Sequence, residues 1–144
     1  MDHRQKILVD ANVFIALLNK DDTLHARAIT LWSDLKQENR ALVTLNVVAS
    51  EALTVLSQRG TKALALDLAE ALYGGGENDI EMIYADRTLE ERALEHFRGI
   101  RSKNSSFVDM IILAALEQYA IPGLASFDRA LQRSAGTVVF SKKV

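Results

Sequence analysis

Two hydrophobic patterns alternate along the chain. Short runs of consecutive apolar residues, typical of strands buried on both faces, are separated by longer segments in which apolar residues recur every three or four positions, as on one face of a helix. The predicted strands are KILV (6–9), ALVTL (41–45), IEMIYA (80–85), LAS (124–126) and TVVF (137–140). The predicted helices cover 12–18, 24–38, 47–59, 61–73, 88–100 and 105–118, with a last turn of helix from residue 129.

Strands that alternate with helices form a parallel sheet with helices on both faces. The sequence therefore predicts an α/β fold, a three-layer α/β/α sandwich with a central parallel sheet of about five strands. In such sheets ligands bind beyond the carboxyl ends of the strands. Polar residues that follow a predicted strand are therefore the first candidates for a functional site.

Local signals mark several of the predicted helix ends. Thr23 can cap the helix over 24–38 and Asn46 can cap the helix over 47–59, because their side-chain oxygens can accept hydrogen bonds from the free amides of a first turn. Gly60 follows the second of these helices and is a typical C-terminal stop. These signals agree with the hydrophobic pattern on where the helices begin and end.

Composition indicates a folded, cysteine-free chain. Of the 144 residues, 49% are hydrophobic and 25% are charged, and only one is proline. We therefore expect a single domain over 1–144. The absence of cysteine excludes disulfides and thiolate metal sites, and it fits a reducing compartment.

The chain offers no predicted membrane or export segment. The N-terminal stretch MDHRQKILVD has too short an apolar run for a signal peptide, and no apolar segment reaches the roughly 18 residues of a membrane span. We therefore expect a cytoplasmic protein. The net charge of -2 lacks the basic excess that is usual for nucleic-acid binding. Acids that surround a divalent cation, however, would no longer repel phosphate.

Asp109 interrupts the apolar segment SSFVDMIILAALEQ. At about 100° per residue it shares a helical face with Ile112, Leu113 and Leu116, and that face is expected to be buried. A buried ionised carboxylate costs several kcal/mol unless a proton, a cation or hydrogen-bond donors compensate it. The alternative is structural, because Ser106 and Asp109 have the spacing of a capping box.

Three further acids belong to the same predicted edge of the sheet. Asp10 follows the first strand, Glu51 lies in the helix after the second, and Asp128 comes two residues after the fourth. Each has a structural alternative, because the two aspartates can cap the helices that follow them and Glu51 can be a solvated residue. Carboxylates brought together would raise one another's pKa values unless a cation intervened. Oxygen ligands select hard ions such as Mg2+ or Mn2+.

The segments that contain these acids resemble, as a set, the four motif blocks of the PIN domain. They are ILVDANVFIALL, LVTLNVVASEALTVL, SSFVDMIILAAL and LASFDRAL, in the order and spacing usual for the family. The chain is similar to the VapC-type toxins of type II toxin-antitoxin systems, which are Mg2+-dependent ribonucleases. The resemblance implies a catalytic, metal-binding quartet of Asp10, Glu51, Asp109 and Asp128.

The resemblance also implies residues that support the quartet. Asn12 and Ser126 would orient ligands, water or substrate around the acids. Ala11 stands where many members carry Thr or Ser, so one hydroxyl near the metal is absent. Arg129 lies beside the last acid and is a candidate substrate contact, as are Arg98, Arg101, Lys103 and Arg133. The alternative for each of these cations is an ordinary solvated surface residue.

We therefore expect an endoribonuclease that hydrolyses RNA phosphodiester bonds with one or two Mg2+ ions, or Mn2+ in their place. The resemblance further implies that it is the toxin of a type II toxin-antitoxin pair, with a cognate antitoxin and a homodimer as its assemblies. The alternative is a non-catalytic PIN-type module that binds RNA or protein and regulates by contact. Metal-dependent cleavage of RNA distinguishes the two hypotheses.

Overall fold

The computed structural model describes residues 2–75 and 80–136 and the backbone of 138–139. The strands in that part of the chain are β1 (Lys6–Val9), β2 (Ala41–Leu45), β3 (Ile80–Ile83), β4 (Gly123–Ala125) and β5 (Val138–Val139). The helices are α1 (Ala11–Leu18), α2 (His25–Gln37), α3 (Asn46–Arg59), α4 (Lys62–Tyr73), α5 (Arg87–Gly99), α6 (Phe107–Gln118) and α7 (Arg129–Ala135). Each predicted element is therefore present, although β3 ends at Ile83 and not at residue 85. Residues 137 and 140 of the last predicted strand lie outside the described residues.

The five strands form one sheet in the order β3-β2-β1-β4-β5, and every neighbouring pair is parallel. The first connections lead toward β3 and the later ones lead toward β5, so right-handed crossovers put the two sets of helices on opposite faces. The packing agrees, because α1 contacts α2, α3 and α4, whereas α6 contacts α5 and α7. The predicted α/β sandwich with a parallel sheet is confirmed.

The core fills both sides of the central strands. All five residues of β2 are buried, and α6 is buried over the seven consecutive residues 110–116. A helix that is apolar on all sides is enclosed by its neighbours, so only its ends can bring polar groups to solvent. Asp109 lies at such an end, in the first turn of α6. Among the described residues, none of the helices has the length and hydropathy that crossing a bilayer requires.

The strand order reverses at β1, which has β2 on one side and β4 on the other. Val9 pairs with Ala125 at the carboxyl ends of β1 and β4, and the N–H of Asp10 donates to the carbonyl oxygen of Ala125 (2.9 Å). Asp10 and Ser126 therefore leave the sheet side by side. Such a reversal is where open parallel sheets form a crevice for ligands.

Two of the predicted helix caps are wrong. No side chain caps α2, and the carboxylate of Asp22, not Thr23, accepts a hydrogen bond from the N–H of Leu24 (2.8 Å). Asn46 is the first residue of α3 and not its cap. Its Oδ1 accepts from the N–H of Ala85 (2.8 Å), beyond the end of β3. Asn46 therefore bonds to a residue beyond the neighbouring strand, and does not cap its own helix as the sequence predicted.

Candidate active site

Asp10 is the only fully buried acid in the described part of the chain, with 6% of its surface exposed. It is the N-cap of α1, and its Oδ1 accepts from the N–H of Ala11 (2.7 Å). Its Oδ2 accepts from the hydroxyl of Ser126 (2.7 Å). The capping alternative is therefore confirmed, and a donor on each oxygen holds the carboxylate in a fixed orientation.

Ser126 connects Asp10 to two other predicted site residues. Its buried hydroxyl donates to Asp10 and accepts from the N–H of Asp128 (3.0 Å) and from Nδ2 of Asn12 (3.4 Å). The amide oxygen of Asn12 in turn accepts from the N–H of Phe127 (3.1 Å). These bonds join the residues that follow β1 to those that follow β4, so Asn12 and Ser126 both support the geometry around Asp10.

Asp109 and Asp128 each cap a helix. Ser106 and Asp109 form a capping box, in which Oδ2 of Asp109 accepts from the N–H of Ser106 (3.0 Å) and the Ser106 hydroxyl accepts from the N–H of Asp109 (3.0 Å). Oδ1 of Asp128 accepts from the N–H of Leu131 (3.1 Å) at the start of α7. Both structural alternatives are confirmed. The other oxygen of each carboxylate has no hydrogen-bond donor within the described residues, so capping occupies only half of each group.

One pocket of about 300 Å³ brings the predicted acids together. Asp10, Glu51, Asp109 and Asp128 all line it, and Asn12 lies beside them. The four acids come from four separate segments of the chain, which meet because the carboxyl ends of β1 and β4 adjoin the second turn of α3 and the first turn of α6. Glu51 as a whole residue is exposed, and it reaches the pocket from the solvent side.

Three of the four pocket acids have raised pKa values, through burial first and through neighbouring charges second. Burial is the main cause that raises the pKa of Asp10 to about 6, with smaller contributions from the charges of Asp109 and Glu51, against the lowering effect of the hydrogen bond from Ser126. Partial desolvation in the pocket, followed by the charge of Asp109, raises the pKa of Glu51. Desolvation and then the charge of Asp128 raise the pKa of Asp109. The carboxylates therefore lie within reach of one another's charges.

The oxygen ligands of the pocket suit a hard divalent cation, but the side chains are too far apart to coordinate one as they stand. Carboxylate oxygens are the ligands that Mg2+ and Mn2+ prefer, and their mutual repulsion is the energy that such a cation removes. Asp109 and Asp128 each retain an oxygen that no described donor occupies. Within the described residues, however, no three acidic or histidine side chains are grouped closely enough to hold a metal ion. The acidic side chains would have to move closer together when a cation binds.

The pocket lining differs from the prediction in its basic residues. Arg129 is exposed at the start of α7 and is not among the described residues that line the pocket, and the same holds for the other predicted cations, Arg98, Arg101, Lys103 and Arg133. Arg59 lines the pocket instead, together with Asn104. Arg59 lies eight residues after Glu51 on the same helix, so helical spacing from the acid was the signal that could have found it.

Comparison with known proteins bears on the family and the fold of the chain. The family model described as the PIN domain matches residues 7–136. Among solved structures, VapC20 of Mycobacterium tuberculosis, described as a sarcin-ricin loop cleaving toxin, superposes with a TM-score of 0.78 at 26% sequence identity, over 92% of this chain and 96% of that chain. No curated protein sequence matches the chain significantly.

Two more distant structures share the fold. FitAcB of Neisseria gonorrhoeae superposes with a TM-score of 0.65 at 17% identity, over 96% of this chain and 99% of that chain. VapBC2 of Rickettsia felis, solved bound to a DNA fragment from the promoter, superposes with a TM-score of 0.62 at 13% identity, over 94% and 97%. The family match spans β1 to α7 and contains every acid of the pocket, so the chain belongs to the PIN domain family.

Proposed function

We propose that this protein is a metal-dependent endoribonuclease that uses Mg2+, or Mn2+ in its place, to hydrolyse RNA phosphodiester bonds. The observation that carries the proposal is the convergence of four carboxylates from separate segments on one pocket, where the pKa values of three of them are raised. Carboxylates that are both desolvated and close enough to repel one another gain no structural benefit from that arrangement by itself. The arrangement has a function if the ligand of the pocket is a cation.

The residues of the site divide into a fixed part and an adjustable part. Asp10, held by Ser126 and Ala11, would be the fixed ligand of the cation. Asp109 and Asp128 would contribute the oxygens that their caps leave unoccupied, and Glu51 would complete the set or position water from the solvent side. A bound divalent cation would neutralise these charges, attract a phosphate group and lower the pKa of a water molecule for hydrolysis.

The likeness to VapC20 supports a more specific role. That protein is described as a toxin that cleaves the sarcin-ricin loop, and it is similar to this chain along almost the whole of both. We infer that this chain is likewise the toxin of a type II toxin-antitoxin pair, acts in the cytoplasm, pairs with a cognate antitoxin and forms a homodimer. Copurification of the product of a neighbouring gene, and the mass of the purified protein in solution, test these assemblies.

Cleavage of RNA tests the proposal. Purified protein is incubated with mixed RNA and Mg2+, with and without EDTA, and the products are sequenced at their ends. We expect metal-dependent cuts that leave 5'-phosphates, and we expect Asp109→Asn to remove them, because asparagine can still accept from the N–H of Ser106 but carries no charge. Cleavage that persists in EDTA or in Asp109→Asn would contradict the assignment.

Asp86 provides a matched control. It caps α5 through the N–H of Leu89 (2.9 Å) and is not among the described residues that line the pocket. Asp86→Asn therefore makes the same chemical change at a helix cap without touching the site, and it should cleave like the wild type.

A non-catalytic role is the second candidate. It is favoured by one observation: Asp10, Asp109 and Asp128 all serve as helix caps, and the described acids are not grouped as a metal site. An adapter of this kind would bind RNA or a protein and leave RNA intact under every metal condition.

A further inference from the structure

Arg59 gives the acidic pocket a cationic end. It is the last residue of α3, and it is the only cationic side chain among the described residues that line the pocket. Glu51, Val55 and Arg59 recur at intervals of four residues and all line the pocket, so they lie along one face of the helix. One wall of the pocket therefore carries a carboxylate at one end and a guanidinium at the other.

The charge of Arg59 is not used to neutralise the acids. None of the salt bridges in the described part of the chain involves it, although four carboxylates line the same pocket. An arginine whose role was to balance those acids would form an ion pair with one of them. The Arg59 side chain is exposed, so its charge is open to a ligand that enters from solvent.

The ligand that suits this arrangement is a phosphate of a polynucleotide. A guanidinium binds phosphate through two parallel hydrogen bonds and stays charged at every working pH. Eight residues of helix separate Arg59 from Glu51 by roughly 12 Å along the axis. A phosphate bound at Arg59 would therefore be a different one from the phosphate at the carboxylates, on a strand that has one charge per nucleotide.

We propose that Arg59 binds a phosphate that flanks the scissile one and so holds the RNA strand across the acidic pocket. This inference rests on the proposed nuclease function, because it takes RNA as the substrate of the same site. It makes Arg59 a substrate-binding residue that favours chains over single nucleotides, and it explains how a pocket lined by carboxylates can accept a polyanion.

Binding of RNA to a cleavage-deficient protein tests the role of Arg59. In the Asp109→Asn background with Mg2+, the affinity for a fluorescein-labelled single-stranded RNA of mixed sequence is measured by fluorescence anisotropy over a series of salt concentrations. Arg59→Gln keeps a polar side chain of similar helix propensity but removes the charge. We expect it to weaken binding about tenfold and to reduce the slope of log K against log salt by about 0.7 to 1, the value of one phosphate contact.

Two further variants separate phosphate binding from a structural role. Arg59→Lys keeps the charge, so it should restore the salt slope while recovering only part of the affinity that the two-pronged contact supplies. Arg92→Ala removes an exposed arginine of α5 that is not among the described pocket-lining residues, and it should leave affinity and slope unchanged. Melting temperatures of all variants are compared, because a cation in the last turn also favours the C-terminal end of a helix.

The outcomes separate this inference from the nuclease proposal. If Arg59→Gln has the same affinity and slope as Arg92→Ala, or if the Asp109→Asn protein binds no RNA, the role of Arg59 is overturned. If the Asp109→Asn protein binds RNA with the expected loss in Arg59→Gln but the wild type cuts no RNA, the phosphate contact stands and the nuclease proposal fails. If the wild type cuts RNA and the slope does not change, the reverse holds.

Discussion

Two parts of the carboxyl edge of the sheet follow the same structural rule with different charges. At the end of β2 and β3, the side-chain oxygen of Asn46 accepts a hydrogen bond from the N–H of Ala85, and Asp86 caps α5. At the end of β1 and β4, Asp10 and Asp128 also cap the helices that follow. In both regions polar side chains accept hydrogen bonds from backbone amides that lack a partner, either in the first turn of a helix or just beyond a strand.

The difference between the two regions lies in what surrounds the caps. The β2–β3 end pairs a neutral amide with a single acid, whereas the β1–β4 end adds Glu51 and Asp109 to two capping aspartates around one pocket. There, the pKa of Asp10 rises to about 6 through burial and its neighbours' charges. A single acid after a strand is therefore weak evidence of function. A set of acids that share one pocket and have raised pKa values is stronger evidence.

The largest effect is expected from a substitution that removes a charge from the pocket at the β1–β4 end. Asp10→Asn keeps an acceptor for the N–H of Ala11 but loses the buried charge, so it should lower the RNA cleavage rate by about 100-fold or more. The rate is measured by single-turnover cleavage with Mg2+. Equal losses in Asp10→Asn and Asp86→Asn would remove the distinction between the two regions.

The second largest effect is a dependence of stability on pH in metal-free protein. Because the pKa of Asp10 in the folded state, about 6, lies above the ordinary value of 3.8, the folded protein holds a proton that the unfolded chain releases. The stabilisation is complete below pH 3.8 and is lost as the pH rises through 6, with a total on the order of 3 kcal/mol. Denaturant unfolding between pH 4.5 and about 7.5 measures it. Asp10→Asn should flatten this profile, and a wild-type profile that rises with pH would contradict the assignment.

A smaller effect is expected from the hydroxyl that supports Asp10. Ser126→Ala removes the donor to Asp10 and the acceptor for the N–H of Asp128, at a cost of about 2 kcal/mol in unfolding free energy. Since the lost hydrogen bond lowers the pKa of Asp10, that pKa should rise further above 6. Carboxyl NMR titration of wild type and variant checks the shift, and a pKa that falls or stays the same would show that Ser126 does not control Asp10.

The smallest effect belongs to the other part of the edge. Asn46→Ala leaves the N–H of Ala85 without its acceptor and should cost about 1 kcal/mol, with no change in RNA cleavage. Asn46→Asp retains an acceptor oxygen and should lose less. A cleavage defect in folded Asn46→Ala would extend the functional site to the β2–β3 end.

The hydrophobic pattern predicted the sheet and its helices, because buried parallel strands and one-sided helices impose different periods on the sequence. It also placed the acids, since the carboxyl ends of parallel strands meet at one edge whatever the packing details. For Asp10, Asp109 and Asp128, the capping alternative and the shared pocket were both correct. A short acidic side chain has two oxygens, so one interpretation did not exclude the other.

Other residues have roles that the helix signals did not predict. Asn46 has a good capping side chain, but its oxygen accepts from the N–H of Ala85, which is distant in sequence. At the start of α2, the adjacent Asp22, and not Thr23, accepts from the N–H of Leu24. Arg59 reads as an ordinary cation at the end of a helix until α3 is oriented in three dimensions. Its place in the pocket follows from the same helix face as Glu51, so the acid has to be assigned before the arginine can be found.

The central claim is that the carboxylates form one anionic pocket that a divalent cation relieves. Thermal melting at pH 7.5 with increasing Mg2+ or Mn2+ tests it without any substrate. A ligand that binds only the folded state raises the free energy of unfolding by roughly RT ln(1 + [L]/Kd), and the melting temperature rises with it. We predict a rise in wild type and Asp86→Asn and none in Asp10→Asn. No rise in the wild type, or an equal rise in Asp10→Asn, would contradict the account.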